Sequence, residues 1–240
     1  MFVTRGILFT TALASINVNA QGRQRTFHRS SFSFDIGLHY SVPTGERTLP
    51  YVAIHGRQGD PTLDGFQYEP SFGSHCALMW TYDFGSADGF GGFLGCELYT
   101  RSNQLVGDHT AIGPSGTTHI SRRVWRYRDI ETPLGIVWRH PAVSVLVGIR
   151  MLWYYSYTDV AFDGRKRLET IAKYAGTYAG HDRGYYPFVR VGHEFKRGSN
   201  ANIGVYTGIE RRGWGSDRTV WWDIEFGVWV RFVWRRSPGR

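Results

Sequence analysis

Large apolar and polar residues alternate with a period of two along most of this chain, and no stretch with the 3.6-residue period of a helix is long enough to form a second layer. The clearest run is 221–234. Trp222, Ile224, Phe226, Val228, Val230, Phe232 and Trp234 take its even positions, and Asp223, Glu225, Gly227 and Arg231 fall among the odd ones. Residues 142–155 repeat the arrangement: Val143, Val145, Val147, Ile149, Met151, Trp153 and Tyr155 share one face, with Ser144, Gly148 and Arg150 opposite. That run is too short for a membrane helix and carries Arg150 at its centre, so it reads as a strand. Similar alternation over 32–40, 74–84 and 129–139, and weaker alternation over 90–100, 185–196 and 201–210, brings the prediction to eight strands.

The connections alternate in length. Long segments follow the first, third and fifth strands (42–73, 101–126 and 156–184), and a shorter Arg- and Gly-rich one follows the seventh (211–218). Tight turns follow the second, fourth and sixth: GSADG at 85–89, His140-Pro141, and RGSN at 197–200. Odd connections on one side and even ones on the other are what an up-and-down antiparallel sheet requires.

The polar faces decide which way that sheet turns. If Asp35, Asp83, Glu97, Asp129, Glu131, Arg150, Arg190, Glu194, Asp223, Glu225 and Arg231 faced water, the apolar faces of all the strands would have to fill one small interior, and their Trp, Phe, Ile and Val side chains are too bulky for it. Turned outward they form a lipid-facing band, with Trp222, Trp234, Trp153, Tyr155, Trp138, Tyr40 and Phe84 near strand ends where interfacial girdles belong. The expected fold is all-β, an eight-stranded up-and-down antiparallel transmembrane β-barrel. The competing soluble, lipocalin-like barrel predicts the opposite facing of Trp222, Ile224 and Phe226. An eight-stranded barrel is just wide enough for side chains to fill, so the expected lumen is a salt-bridged plug built on Asp35, Glu97, Asp129, Glu131, Arg150, Arg190, Glu194, Asp223, Glu225 and Arg231.

Composition agrees with this reading. The 240 residues are 42% hydrophobic and 16% aromatic with 30 glycines, and mean hydropathy is −0.32; these values argue against both disorder and a helical membrane bundle. The first twenty residues, MFVTRGILFTTALASINVNA, place Arg5 before an apolar stretch and end on Val18-Asn19-Ala20, the pattern of a secretory signal cut before Gln21. The expected organisation is a signal peptide over 1–20, a short extension over 21–31, the barrel over 32–235 and a tail over 236–240.

Segment 128–139, RDIETPLGIVWR, resembles the strand with an I-P-L core in PorT-type barrels of Bacteroidetes, here carrying Thr132-Pro133-Leu134, and VLVGIRMLWYY and PFVRVGHEFKRG resemble the strands that follow it. The last strand resembles the barrel-assembly signal through Glu225, Gly227, Val230 and Phe232. On these segments the chain resembles small bacterial outer-membrane barrels of the PorT-type and the OmpA- and OmpX-like groups. The resemblance implies location in the outer membrane and contact with the assembly machinery during biogenesis. In two respects the chain is expected to depart from the pattern: residues 235–240, RRSPGR, carry the last strand past an aromatic end, and a peptidoglycan-binding domain after the barrel is not expected.

Candidate chemistry is sparse. His39 with Ser41, and His75 with Ser74, are expected close together at the outer end, where a His, Ser and acid cluster would suit acyl transfer on lipid A; polar filling of the lumen accounts for the same residues. The pairs Asp129/Glu131 and Asp223/Glu225 read as partners for Arg150, Arg190 and Arg231. Cys76 and Cys96 lie on the two arms of the GSADG hairpin, either as a disulfide or as two small lipid-facing residues. No metal-binding spacing and no cofactor motif occurs. The net charge is +8, and the surplus collects in the long connections: Arg122, Arg123, Arg126, Arg128, Arg165, Lys166, Arg167, Arg211 and Arg212. An exported chain has no use for nucleic acid, so the expected partners are outer-membrane lipid and the phosphates of lipopolysaccharide. The expected role is structural or interactive, with a lipid A-modifying enzyme and a narrow solute channel as rivals.

Overall fold

The computed structural model describes residues 30–45, 67–84, 89–113, 116–140, 143–177, 184–197, 201–213 and 219–233. The expected signal peptide and C-terminal tail lie outside them. Among these residues ten strands run in chain order: β1 (Ser30–Gly45), β2 (Gln67–Glu69), β3 (Ser71–Asp83), β4 (Phe90–Gly113), β5 (Gly116–Arg139), β6 (Val143–Asp163), β7 (Lys166–Thr177), β8 (Tyr185–Arg197), β9 (Ala201–Gly213) and β10 (Thr219–Val233).

Eight of them close a ring. Each pairs antiparallel with the next, β1–β3–β4–β5–β6–β8–β9–β10, and β10 pairs back onto β1 over Ser31↔Val233 to Gly45↔Thr219. Closure removes the unpaired sheet edge that lipid would not tolerate. The two remaining strands sit outside the ring on the side of the long connections: β2 adds to β4 at Leu105, and β7 adds to the far half of β6.

The facing is that of a membrane barrel. Ile36, Leu38, Leu78, Leu94, Ile136, Val147, Phe226, Val228 and Phe232 are exposed, whereas Asp35, Glu97, Glu131, Arg150, Arg190, Asp223 and Glu225 are buried. Phe226 is 56% exposed and its chain neighbour Glu225 is 0%. A water-soluble barrel carries the inverse pattern, so the lipocalin-like alternative is excluded and the ring is a transmembrane β-barrel of the kind bacterial outer membranes hold.

Three sequence expectations need correction. Residues 101–126 are not a loop, because β4 and β5 continue as one hairpin through Ile112↔Thr117, well past the ends of β3. Much of 156–184 is likewise strand, with β6 turning into β7 at Gly164. That glycine has φ +55°, takes the first position of a two-residue loop and so meets the demand of a type II′ turn. The third correction concerns the phase of β6. Its partner register jumps from Ile130↔Tyr154 to Glu131↔Leu152, leaving Trp153 as a bulged extra residue. Arg150 and Leu152 face inward before the bulge, and Tyr155 pairs with the inward Asp129 after it. Tyr155 therefore does not share the outer face of Trp153, as uninterrupted alternation predicts; the indole N–H of Trp153 donates instead to Thr132 Oγ1 at 2.8 Å on the outside.

Glycines on the inner face make room for large side chains. Gly37 and Gly227 are register partners, and a Cβ on either would collide with the phenol of Tyr206, which lies across both. Phe93 lies in the same way over Gly135 and Gly148. Near the short turns Phe93 joins Ala77, Met79, Val137 and Phe188 in the small apolar part of the core.

Candidate functional site

The most elaborate chemistry in the molecule is the ion network across the middle of the lumen. Inward positions of β4, β5, β6, β8, β9 and β10 converge there because each strand contributes every second side chain to so narrow an interior. Arg150 is the hub. Its Nε lies 2.7 Å from Glu97 Oε2, one terminal nitrogen meets Glu210, the other lies 2.7 Å from Glu225 Oε1, and Glu131 Oε2 is 4.0 Å away. Arg190 bridges Glu225 at 2.7 Å and Glu97 at 3.0 Å, with Asp35 at 3.6 Å. Arg212 forks onto Glu131 at 2.6 and 2.9 Å, reaches Glu210 at 3.1 Å and Asp223 at 3.1 Å. Arg101 lies 3.1 Å from Asp129. Four guanidiniums thus serve seven carboxylates, and Arg150, Arg190 and Arg212 are each shared among several of them. The aromatic rings complete the packing: the Arg212 guanidinium lies 3.8 Å from the Tyr99 ring centre, and Tyr99 donates its hydroxyl to Asp223 at 2.7 Å.

Other pairs close the two ends. Toward the short turns Arg139 meets Asp83 and Arg231 meets Glu194; toward the long connections Arg123 meets Asp159. Beyond the network on that side Tyr68, Trp125 and Trp221 pack edge to face, and Tyr127 lies against Tyr157. Between the ends, a cavity of about 40 Å³ beside Asp35, Arg190, Tyr206 and Trp229 leaves space for a few waters.

His39, Ser41 and His75 are buried in this lumen, not displayed at a rim. His39 stacks on Tyr99 with ring centres 4.1 Å apart, His75 bonds the Tyr206 hydroxyl, and the two imidazoles are 6.2 Å apart. Ser74 is on the outer face, bonded to Thr100 at 2.8 Å. The expected grouping of both serines with both histidines is therefore not formed. Both cysteines are free. Cys76 is opposite Leu98 and Cys96 opposite Leu78, a diagonal relation with spacing of about 7–8 Å, too long for a disulfide. Of the assembly-signal residues, Glu225 and Gly227 point inward to Arg190 and Tyr206, and Phe232 is exposed. Among the described residues no group of three or more His, Cys, Asp or Glu side chains is arranged to hold a metal.

Sequence reasoning missed Arg101, Arg123, Asp159 and Arg212 as lumen residues and placed Arg123 and Arg212 among surface loop charges; both are buried. The signal was present. Arg212 continues the even-numbered phase of Tyr206, Gly208 and Glu210, and Arg123 continues the odd-numbered phase of Glu131, Asp129 and Tyr127. Extending each alternation past the assumed strand end finds them.

No protein-family model matches the chain, and no curated protein matches it. Solved structures similar to it include the attachment invasion locus protein Ail of Yersinia pestis in complex with the heparin analogue sucrose octasulfate (13% identity, 85% of this chain and 99% of that one, TM-score 0.42). The outer membrane protease OmpT of Escherichia coli is similar at 10% identity over 88% of this chain and 99% of its own, with a TM-score of 0.41. The outer membrane protein OprG of Pseudomonas aeruginosa is similar at 10% identity over 87% and 98%, with a TM-score of 0.42. No activity passes from any of them to this chain; the assignment as a transmembrane barrel stands on the closed ring and its inverted facing.

Proposed function

We propose that this chain is an integral outer-membrane protein that works through its outer surface and the hairpins beyond the membrane, and that its lumen is closed to solutes. The observation that carries the reading is the central layer of Arg150, Arg190 and Arg212 with their carboxylates, all buried and mutually bonded. Such a layer favours a static plug over a pathway, because a passing solute would have to break several buried charge-assisted hydrogen bonds at once. The burial of His39, Ser41 and His75 supports a non-enzymatic role over lipid A modification, since a membrane lipid would have to reach them. The resemblance of segment 128–139 to PorT-type strands belongs to this proposal, as does recognition of the last strand, through Glu225, Gly227, Val230 and Phe232, by the assembly machinery.

Planar-bilayer recording tests the closed lumen. The purified, folded chain is expected to give no stepwise conductance at moderate voltage. Uniform steps that scale with salt concentration would replace this reading with the narrow channel.

A further inference from the structure

Among the described residues the arginines inside the barrel all have ionic partners, whereas Arg126 and Arg128 on the outside have none. Arg126 and Arg128 are exposed on β5, two consecutive outward positions beyond Ile130, itself 40% exposed. Neither makes an ion pair with a described residue. Their register neighbours are small and mostly hydroxylated. Arg126 sits between Ser102 and Thr158, with exposed Lys173 next beyond Thr158, and Arg128 sits between Thr100 and Ser156, with Ala175 beyond. No residue in these two rows is acidic. The patch is thus three cations set among hydroxyls, with no internal counter-charge.

Its height gives it meaning. From Trp138, near the short turn, to Arg128 is ten residues of β5. At about 3.3 Å per residue and a tilt of about 40°, that rises roughly 25 Å, the height of the apolar band of such barrels. Arg128 and Arg126 therefore emerge where hydrocarbon gives way to headgroups, just beyond the outward-facing Trp153 and the outer row of Ile130 and Tyr154. We infer that Arg126, Arg128 and Lys173 form a binding site for the phosphate groups of a phosphorylated glycolipid in the outer leaflet, with the guanidiniums forking onto phosphate oxygens and the flanking hydroxyls donating to the same headgroup. The inference rests on the proposed outer-membrane role and takes the long connections to lie outside the cell.

The test uses the full chain folded in zwitterionic detergent, with binding of lipid A read by native mass spectrometry. Lipid A with its phosphates is compared with the same lipid after dephosphorylation. R126Q/R128Q is expected to lose about thirtyfold in affinity for the phosphorylated lipid, R126K/R128K to keep most of it, and the charge-matched R165Q/K166Q, at the β6–β7 turn, to bind as the parent does. Equal binding of dephosphorylated lipid, an unaffected R126Q/R128Q, or an equal loss in R165Q/K166Q would each overturn the site. Displacement of the lipid by soluble polyphosphate at matched phosphate concentration would also overturn it, in favour of a soluble polyanion. Should R126Q/R128Q fail to fold, K173Q is read alone, with an expected loss of about fivefold; no loss there counts against the site. Labelling of R165C in intact cells with an impermeant maleimide reports orientation separately, so an inverted barrel is distinguished from a missing site.

Discussion

Arg150→Ala is expected to lower the stability of the folded barrel by about 3–5 kcal/mol, the cost of removing one partner from a buried ion network. The size of the effect follows from the sharing. Arg150 faces Glu97, Glu210 and Glu225 at bonding distance and Glu131 at 4.0 Å, and Arg190 and Arg212 already serve the same four carboxylates. Among the described residues no spare cation is at hand to replace it, and the alanine leaves like charges facing one another in a space without bulk water. The shift is read as the urea midpoint of unfolding in lipid vesicles, with the unfolding slope checked for constancy. Adding Glu210→Gln and Glu225→Gln to Arg150→Met should recover part of the loss, because the carboxylates stranded by the first change are then neutral. A stability within about 0.5 kcal/mol of the parent for Arg150→Ala would mean that the network does not hold the barrel together.

The second large effect separates the inside from the outside. Phe226→Arg puts a charge in the middle of the outer band, next to Val228 and across from Leu38 and Thr207. Facing lipid, it is expected to cost about 2–4 kcal/mol; facing water, it would cost next to nothing and relieve an exposed aromatic. The same urea measurement in vesicles distinguishes the two.

Much of this architecture is legible in the sequence because the side-chain period of a strand is two and the barrel interior is polar. Confinement of the charges to one of the two alternating sets of positions, Asp223, Glu225 and Arg231 in 221–234, Arg150 in 142–152, and Asp129, Glu131 and Arg139 in 129–139, makes both the strands and their facing readable. The phase of β6 beyond Trp153 was not legible: a bulge adds one residue without any change in composition, and simple alternation carries the wrong face forward to Tyr155. The extensions of β4 and β5 were hidden for a different reason. Outside the membrane neither face need be apolar, so Arg122, Arg126 and Arg128 on one side and Arg123 and Asp159 on the other look like loop charges although they lie on paired strands. The hub was half visible. Arg150 and Arg190 stand out within apolar runs, but that Arg150 bonds Glu97, Glu210 and Glu225 at once depends on which strands close the ring.

The central claim is a closed barrel that spans a membrane with its apolar side outward, and the most direct measurement is gel migration of the membrane fraction with and without boiling. A closed ladder persists in detergent until it is heated, so the unboiled chain from the outer-membrane fraction is predicted to migrate as a distinct band that moves to the position of the unfolded chain on boiling. A chain recovered in the soluble fraction, with one band under both conditions, would contradict the account.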